Sequence, residues 1–296
     1  MTSIGTLGFI GLGVMGEPMC RNLATRSGSA VIATDLRPEP LARLASVGVD
    51  AAKDLTEIAA RADMIFLSLP GGDELELVCG SLLEAMREGQ TVVDCSTAPV
   101  VLTRKLADAF EARGVAYADA PVARTRAAAE AGTLWVMVGA DDDVFAAIKP
   151  YLAHFASDVS HVGGVGAGQV AKLMNNMILI ESMVALSEAL TIARRAGIDG
   201  ERLFETLMTG SADSFALRNH GMKALLPGDF PEQAFSARYA LKDLTYAIVF
   251  ARENGIATPG ADAARGVLEA VIAAGRGDAY YPVMLEAIDP DDVLPR

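Results

Sequence analysis

The sequence predicts a two-domain α/β protein. A doubly wound parallel sheet is expected in residues 1–163 and an all-α domain in residues 164–296, joined to the first by a long helix. Three observations predict it. Short apolar runs alternate with helix-like stretches through the first 160 residues, the pattern of a parallel sheet covered on both faces. A glycine-rich turn follows the first run. From Gln169 onward the apolar residues take helical spacing and no β-rich run recurs.

In chain order, Thr6–Gly13 (TLGFIGLG), Ala30–Asp35 (AVIATD), Met64–Pro70 (MIFLSLP) and Thr91–Ser96 (TVVDCS) read as buried strands. Val115–Val122 and Leu134–Gly139 are two more candidates. Between them lie helix-like segments at residues 38–48, 54–62 and 72–89. The segment Gln169–Ala196 reads as one helix, roughly 40 Å long at about 1.5 Å per residue. Lys172, Asn175, Asn176, Glu181 and Glu188 argue against its crossing a membrane. Such a helix is expected to be buried in a helical domain or against a second copy of the chain, in a homodimer or homotetramer. Further helices are predicted over 200–209, 237–254 and 260–274.

Composition narrows the function classes. Of the 296 residues, 51% are hydrophobic and 21% charged, as in an ordinary globular protein. The net charge of −13 and pI near 4.7 give no general attraction to nucleic acid or an anionic membrane. Any anionic ligand must be held by local positive charge. The three cysteines form no CxxC pair and no zinc spacing, so no metal site is expected. The N-terminus lacks a basic region ahead of an apolar stretch. A cytoplasmic enzyme is the expectation.

The glycine-rich turn is Gly11-x-Gly13-x-x-Gly16, set between a strand and a helix. Gly11 permits the tight turn, Gly13 lets the backbone approach a pyrophosphate, and Gly16 allows close helix–strand packing. This is the fingerprint of a Rossmann dinucleotide site, with the phosphates at the helix N-terminus. Asp35 closes the second strand, 24 residues after Gly11. A carboxylate there accepts from both ribose hydroxyls and repels a 2′-phosphate, which favours NAD over NADP. Arg37 is the counter-signal. Lys172 and Asn176 are four residues apart and share a helix face. A lysine in an apolar helix is a candidate general acid/base.

The segments GFIGLGVMGEPM, LSLP, DCSTAP, DAPV, GTLWVMVG, GAGQVAKLMNN and FSARYALKDL follow one another in this order. In them the chain resembles the β-hydroxyacid dehydrogenase family, which includes 3-hydroxyisobutyrate dehydrogenases and tartronate semialdehyde reductases. The resemblance spans essentially the whole chain. It implies a cofactor loop of Gly11, Leu12, Gly13, Met15 and Gly16, with Asp35 on the NAD ribose. Leu69, Pro70 and Thr97 would lie along the cofactor, with Lys242 closing over it. Lys172 would be the catalytic lysine and Asn176 its catalytic partner on the substrate oxygen. Ser96 and Asn175 would contact a small anionic hydroxy acid or semialdehyde. Phe235 matches an apolar wall. The imine reductases share this architecture without the Lys-x-x-x-Asn pair.

One segment departs from the family. Where most members continue DAPV with SGG, this chain has Ala123, Arg124 and Thr125. Arg124 adds a rigid donor fork suited to a carboxylate, sulfonate or phosphate. The loop resembles the branch that reduces 3-sulfolactaldehyde. Ala123, Arg124 and Thr125 are therefore expected to bind the substrate's acid group, and Arg126 to be a surface charge.

Overall fold

The computed structural model describes residues 5–232 and 234–290. The chain divides into two compact units, with the break between Lys172 and Leu173.

The first unit is built on a nine-stranded sheet. Its strands are β1 (Thr6–Ile10), β2 (Ala30–Thr34), β3 (Val49–Ala51), β4 (Met64–Leu67), β5 (Thr91–Asp94), β6 (Ala116–Asp119), β7 (Val122–Ala123), β8 (Leu134–Gly139) and β9 (Ala156–Gly163). The helices between them are α1 (Gly16–Arg26), α2 (Pro38–Ala45), α3 (Leu55–Arg61), α4 (Gly72–Ala85), α5 (Val100–Glu111), α6 (Arg126–Ala131) and α7 (Asp142–Leu152). The strand order is β3-β2-β1-β4-β5-β6-β8-β7, with β9 on β8. The run from β3 to β6 is parallel. Order reverses between β1 and β4, the switch point at which such sheets bind ligands.

Strands β1, β2, β4, β5 and β6 each split their side chains between two cores, as a sheet covered on both faces requires. Leu7, Phe9, Val31, Ala33, Phe66 and Val93 pack with α1 and α7. Ile32, Ile65, Leu67 and Val92 pack with α3, α4 and α5. Gly8 lets α3 lie close, because a Cβ there would come within 2.8 Å of Ile58.

The sheet differs from the predicted all-parallel one at its far side. β8 runs antiparallel to β6 and β7. The reason is the short link between β7 and β8: residues 124–133 hold only the six-residue α6. A parallel crossover needs a dozen residues or more. Two strands lay outside the sequence reading. β3 is three residues long, and β9 is buried at its first residue only, so neither shows a buried apolar run.

The helix α8 (Ala167–Arg195) begins in the first unit and continues into the second. By length and composition alone it is apolar enough to cross a membrane, a property it shares with core helices. The second unit contains α9 (Gly200–Leu207), a π-helical segment Leu217–Leu225, α10 (Ala237–Glu253), α11 (Pro259–Ala273), a 3-10 turn Tyr281–Met284 and α12 (Leu285–Ile288). Its core is one cluster drawn from all of these, including Ile180, Met183, Leu190, Phe204, Leu244, Leu268 and Tyr281. Phe235 packs against that cluster, its ring edge-on to Tyr281.

Candidate active site

The glycine turn between β1 and α1 has the shape its spacing predicts. Gly11 has φ +90°, and a Cβ there would lie 2.3 Å from the Ser68 carbonyl oxygen. A Cβ on Gly16 would lie 2.0 Å from the Gly11 carbonyl oxygen. A Cβ on Gly13 would meet nothing within 4 Å, so the space over that residue is open. Two tight glycines therefore frame one bare stretch of backbone beside the N-terminus of α1. Glu17, an acidic residue in that first turn, accepts from Arg43 Nε and Nη2 at 2.8 and 2.7 Å. Its charge is thereby neutralised at the place where phosphates would sit. Leu12 is buried and Met15 half-buried against the sheet core.

Asp35 follows β2 and folds back on the turn. Its Oδ2 accepts the Leu12 N–H at 2.6 Å. Its Oδ1 accepts the Arg37 N–H at 2.9 Å and Nε at 3.1 Å. Arg37 also donates to the Leu12 carbonyl at 3.0 Å. Burial pushes the Asp35 carboxyl up, but the Arg37 and Leu12 donors outweigh it and hold the group below its ordinary value. The open Gly13 stretch, the helix N-terminus and the ionised Asp35 fit a dinucleotide.

The loops after β4 and β5 meet beside this turn. Ser96 is buried; its Oγ accepts the Leu69 N–H at 2.9 Å, and its own N–H donates to Asp94 Oδ1 at 2.9 Å. Ser96 thus ties the two loops together. Pro70 is exposed and Thr97 half-buried. Lys172 is half-buried on the second turn of α8.

The Ala123–Thr125 loop takes an unusual form. Ala123 is buried at the end of β7. Arg124 has φ +88°, the one positive-φ residue other than glycine among those described. That region costs an L side chain roughly 1–2 kcal/mol. Its guanidinium is held by the first unit itself. Nη1 donates to the Thr133 carbonyl at 2.6 Å and to Ser157 Oγ at 2.8 Å, and Nη2 to Asp158 at 2.7 Å. Thr125 caps α6, accepting the Ala128 N–H. Arg126 reaches Glu130, one turn on, at 2.9 Å.

In the second unit, Asn176 is buried and both ends of its amide are engaged. Its Nδ2 donates to Asp243 Oδ2 at 2.7 Å, and its Oδ1 accepts from Asn175 Nδ2 at 3.0 Å. Lys242 Nζ lies 3.1 Å from Asp243 Oδ1 and over the rings of Tyr239 and Tyr246. Asp243 was missed in the sequence. Its only signal was its place beside Lys242, and its partner Asn176 is 67 residues away.

Two family descriptions cover the chain. Residues 6–164 match the NAD-binding domain of 6-phosphogluconate dehydrogenase. Residues 166–288 match the NAD-binding domain of NADP-dependent 3-hydroxyisobutyrate dehydrogenase. The chain is 36% identical to 2-(hydroxymethyl)glutarate dehydrogenase of Eubacterium barkeri, over 92% of this chain and 90% of that protein. It is 33% identical to 2-hydroxy-3-oxopropionate reductase of Escherichia coli K12, over 96% and 97%. Among solved structures it resembles Mycobacterium tuberculosis 3-hydroxyisobutyrate dehydrogenase with L-serine. There the TM-score is 0.90 at 29% identity, over 97% and 99% of the two chains. An imine reductase from Pseudomonas sp. shares the fold alone, at 18% identity and a TM-score of 0.63.

Proposed function

The chain is an NAD-dependent oxidoreductase of the 3-hydroxyisobutyrate dehydrogenase-like β-hydroxyacid dehydrogenase family, and from that premise we propose that it interconverts a small β-hydroxy acid and its semialdehyde, with Lys172 as general acid/base. One observation carries the reading. Lys172 lies near the start of α8, and that start is hydrogen-bonded to the Ser96–Ala98 segment, which follows β5 of the sheet that bears the dinucleotide turn. A proton-transferring amine and a cofactor cradle thus belong to one framework.

Gly11, Leu12, Gly13, Met15, Gly16 and Asp35 would hold the cofactor, with Leu69, Pro70, Thr97 and Lys242 alongside it. NAD supplies the hydride acceptor, or in its reduced form the donor. Lys172 takes the hydroxyl proton when the carbinol is oxidised and returns it on reduction. Asn176 presents its second amide hydrogen to the substrate oxygen, the first being spent on Asp243. Asn175 braces that amide and Ser96 braces the loops. A fixed donor at the developing alkoxide is electrostatic stabilisation that needs no rearrangement during the reaction.

The Ala123–Thr125 loop receives the substrate's acid group. The Arg124 fork is turned to Asp158, so the loop serves through its backbone N–H groups. The near-full-length relatives, both named for carboxylate substrates, support a carboxylate hydroxy acid over the sulfolactaldehyde reading.

Purified protein with NAD should be assayed against 3-hydroxyisobutyrate, 2-(hydroxymethyl)glutarate and a three-carbon sulfonate, followed at the nicotinamide absorbance. Turnover of a carboxylate at least tenfold above the sulfonate is expected. Turnover of the sulfonate alone would overturn the substrate reading.

A further inference from the structure

Two buried residues outside the sequence-predicted site fix the start of α8. Asp119 ends β6 with no exposed surface. Its Oδ1 accepts the Gly166 N–H at 2.6 Å and its Oδ2 accepts the Gln169 N–H at 2.7 Å. These donors belong to the end of the helix, where the helical ladder offers no acceptor. Gln169, also fully buried, turns its side chain to the β5 loop. Its Nε2 donates to the Ser96 carbonyl at 2.8 Å, and its Oε1 accepts the Ala98 N–H at 3.2 Å.

Glycines permit this approach. A Cβ on Gly168 would lie 2.4 Å from the Met137 carbonyl oxygen and 2.8 Å from Asp119 Oδ2. One on Gly139 would lie 2.4 Å from Asp119 Oδ1. The first turn of α8 is thus fastened to the ends of β5, β6 and β8. Lys172 comes three residues after Gln169, on the same helix face.

We propose that Asp119 and Gln169 are positioning residues that hold Lys172 in fixed register with the Ser96–Thr97 segment. Neither touches substrate. The proposal rests on Lys172 acting as the acid/base. Bonds from backbone N–H groups to a carboxylate are among the stronger hydrogen bonds. Burial also keeps water from competing for them. General acid/base work needs the amine within hydrogen-bond reach of the hydroxyl. A shift of about 1 Å can cost about 100-fold in rate. A long, flexible lysine needs its helix anchored for that reason.

The test compares Gln169→Met, which keeps length and loses both side-chain hydrogen bonds, with Asp119→Asn and with Lys172→Ala. The substrate is 3-hydroxyisobutyrate, plain and deuterated at the carbinol carbon. For Gln169→Met and Asp119→Asn the expected result is a fall in kcat of about tenfold or more. NAD Kd should stay within about twofold, the margin of an undisturbed site. The deuterium isotope effect on kcat should rise, because chemistry has slowed. A fall that only tracks the folded fraction leaves the isotope effect unchanged, and that outcome overturns the proposal. So does a wild-type kcat in Gln169→Met while Lys172→Ala is inactive. Normal turnover in Lys172→Ala would instead remove the acid/base reading on which the proposal rests.

Discussion

A guanidinium at position 124 suits an anionic substrate on chemistry alone, yet its Nη1 and Nη2 donate to Thr133, Ser157 and Asp158. On the proposed reading the side chain and the backbone at this residue have separate jobs. The fork holds a left-handed conformation that glycine would adopt freely. Arg124→Gly is expected to keep the substrate KM near wild type, and Arg124→Ala to raise it about tenfold, by the loss of hydrogen bonds to a charged group. The deciding variant is Asp158→Asn. The pair is partly exposed, so the expected rise in KM is a few-fold only. A fall in KM, from a guanidinium released toward substrate, would show that Arg124 binds it directly. Asp35 and Arg37 form a second such pair. Asp35→Ser should weaken NAD binding roughly tenfold or more and, by freeing Arg37 for a 2′-phosphate, improve NADP binding. Titration with both nucleotides reads this, and unchanged NADP affinity would assign Arg37 to structure alone. The place of Asp35 beside the glycine turn was legible because it closes a strand at a set distance from that turn. Gln169 and Asp243 were not, because each is defined by partners about 70 residues away that no local pattern reveals.

The β1–α1 turn was readable from sequence because tight turns leave only glycine a place, and spacing records that constraint. Gly16→Ala tests it. The added Cβ meets the Gly11 carbonyl oxygen at 2.0 Å, so the turn must open. Overpacking of this kind costs about 1–3 kcal/mol. A lower Tm and at least tenfold weaker NAD binding are expected; wild-type affinity would mean that the turn adapts. The far side of the sheet was not readable, since β9 buries few side chains and the antiparallel turn at β8 depends on a link length rather than a composition. The α8 anchor carries a pH signature. Burial pushes the Asp119 carboxyl up to about 7, against the pull of the Gly166 and Gln169 donors and with help from the Asp94 charge. Asp94 is its register partner on β5 and accepts from the Tyr117 hydroxyl. From about pH 4 to about pH 7 the folded protein binds a proton here that the unfolded chain does not, so stability falls as pH rises through that window. Relative to Asp119→Asn, the wild type is expected to lose stability across the same range, measured by urea unfolding at stepped pH. A difference independent of pH would show that Asp119 titrates as an ordinary carboxyl.

Over the whole molecule, on the proposed reading, an acidic chain holds an anionic cofactor by local means, namely an open glycine backbone, a helix N-terminus and paired side chains. The two-part architecture was legible because strand–helix alternation stops where α8 begins. An expectation about assembly also rests on α8. Ile178, Ala185 and Ile192 recur every seven residues on its exposed side, and a second copy of the chain is the expected cover. Sedimentation should show a dimer or tetramer that Ile178→Glu with Ile192→Glu dissociates; a wild-type monomer would contradict this. The account as a whole turns on Lys172. The most direct measurement is turnover of 3-hydroxyisobutyrate by Lys172→Ala, with NAD Kd measured on the same preparation. The expected result is a kcat lowered at least 100-fold, in the range that general acid/base catalysis supplies, at unchanged NAD affinity. Turnover within a few-fold of wild type would contradict the account.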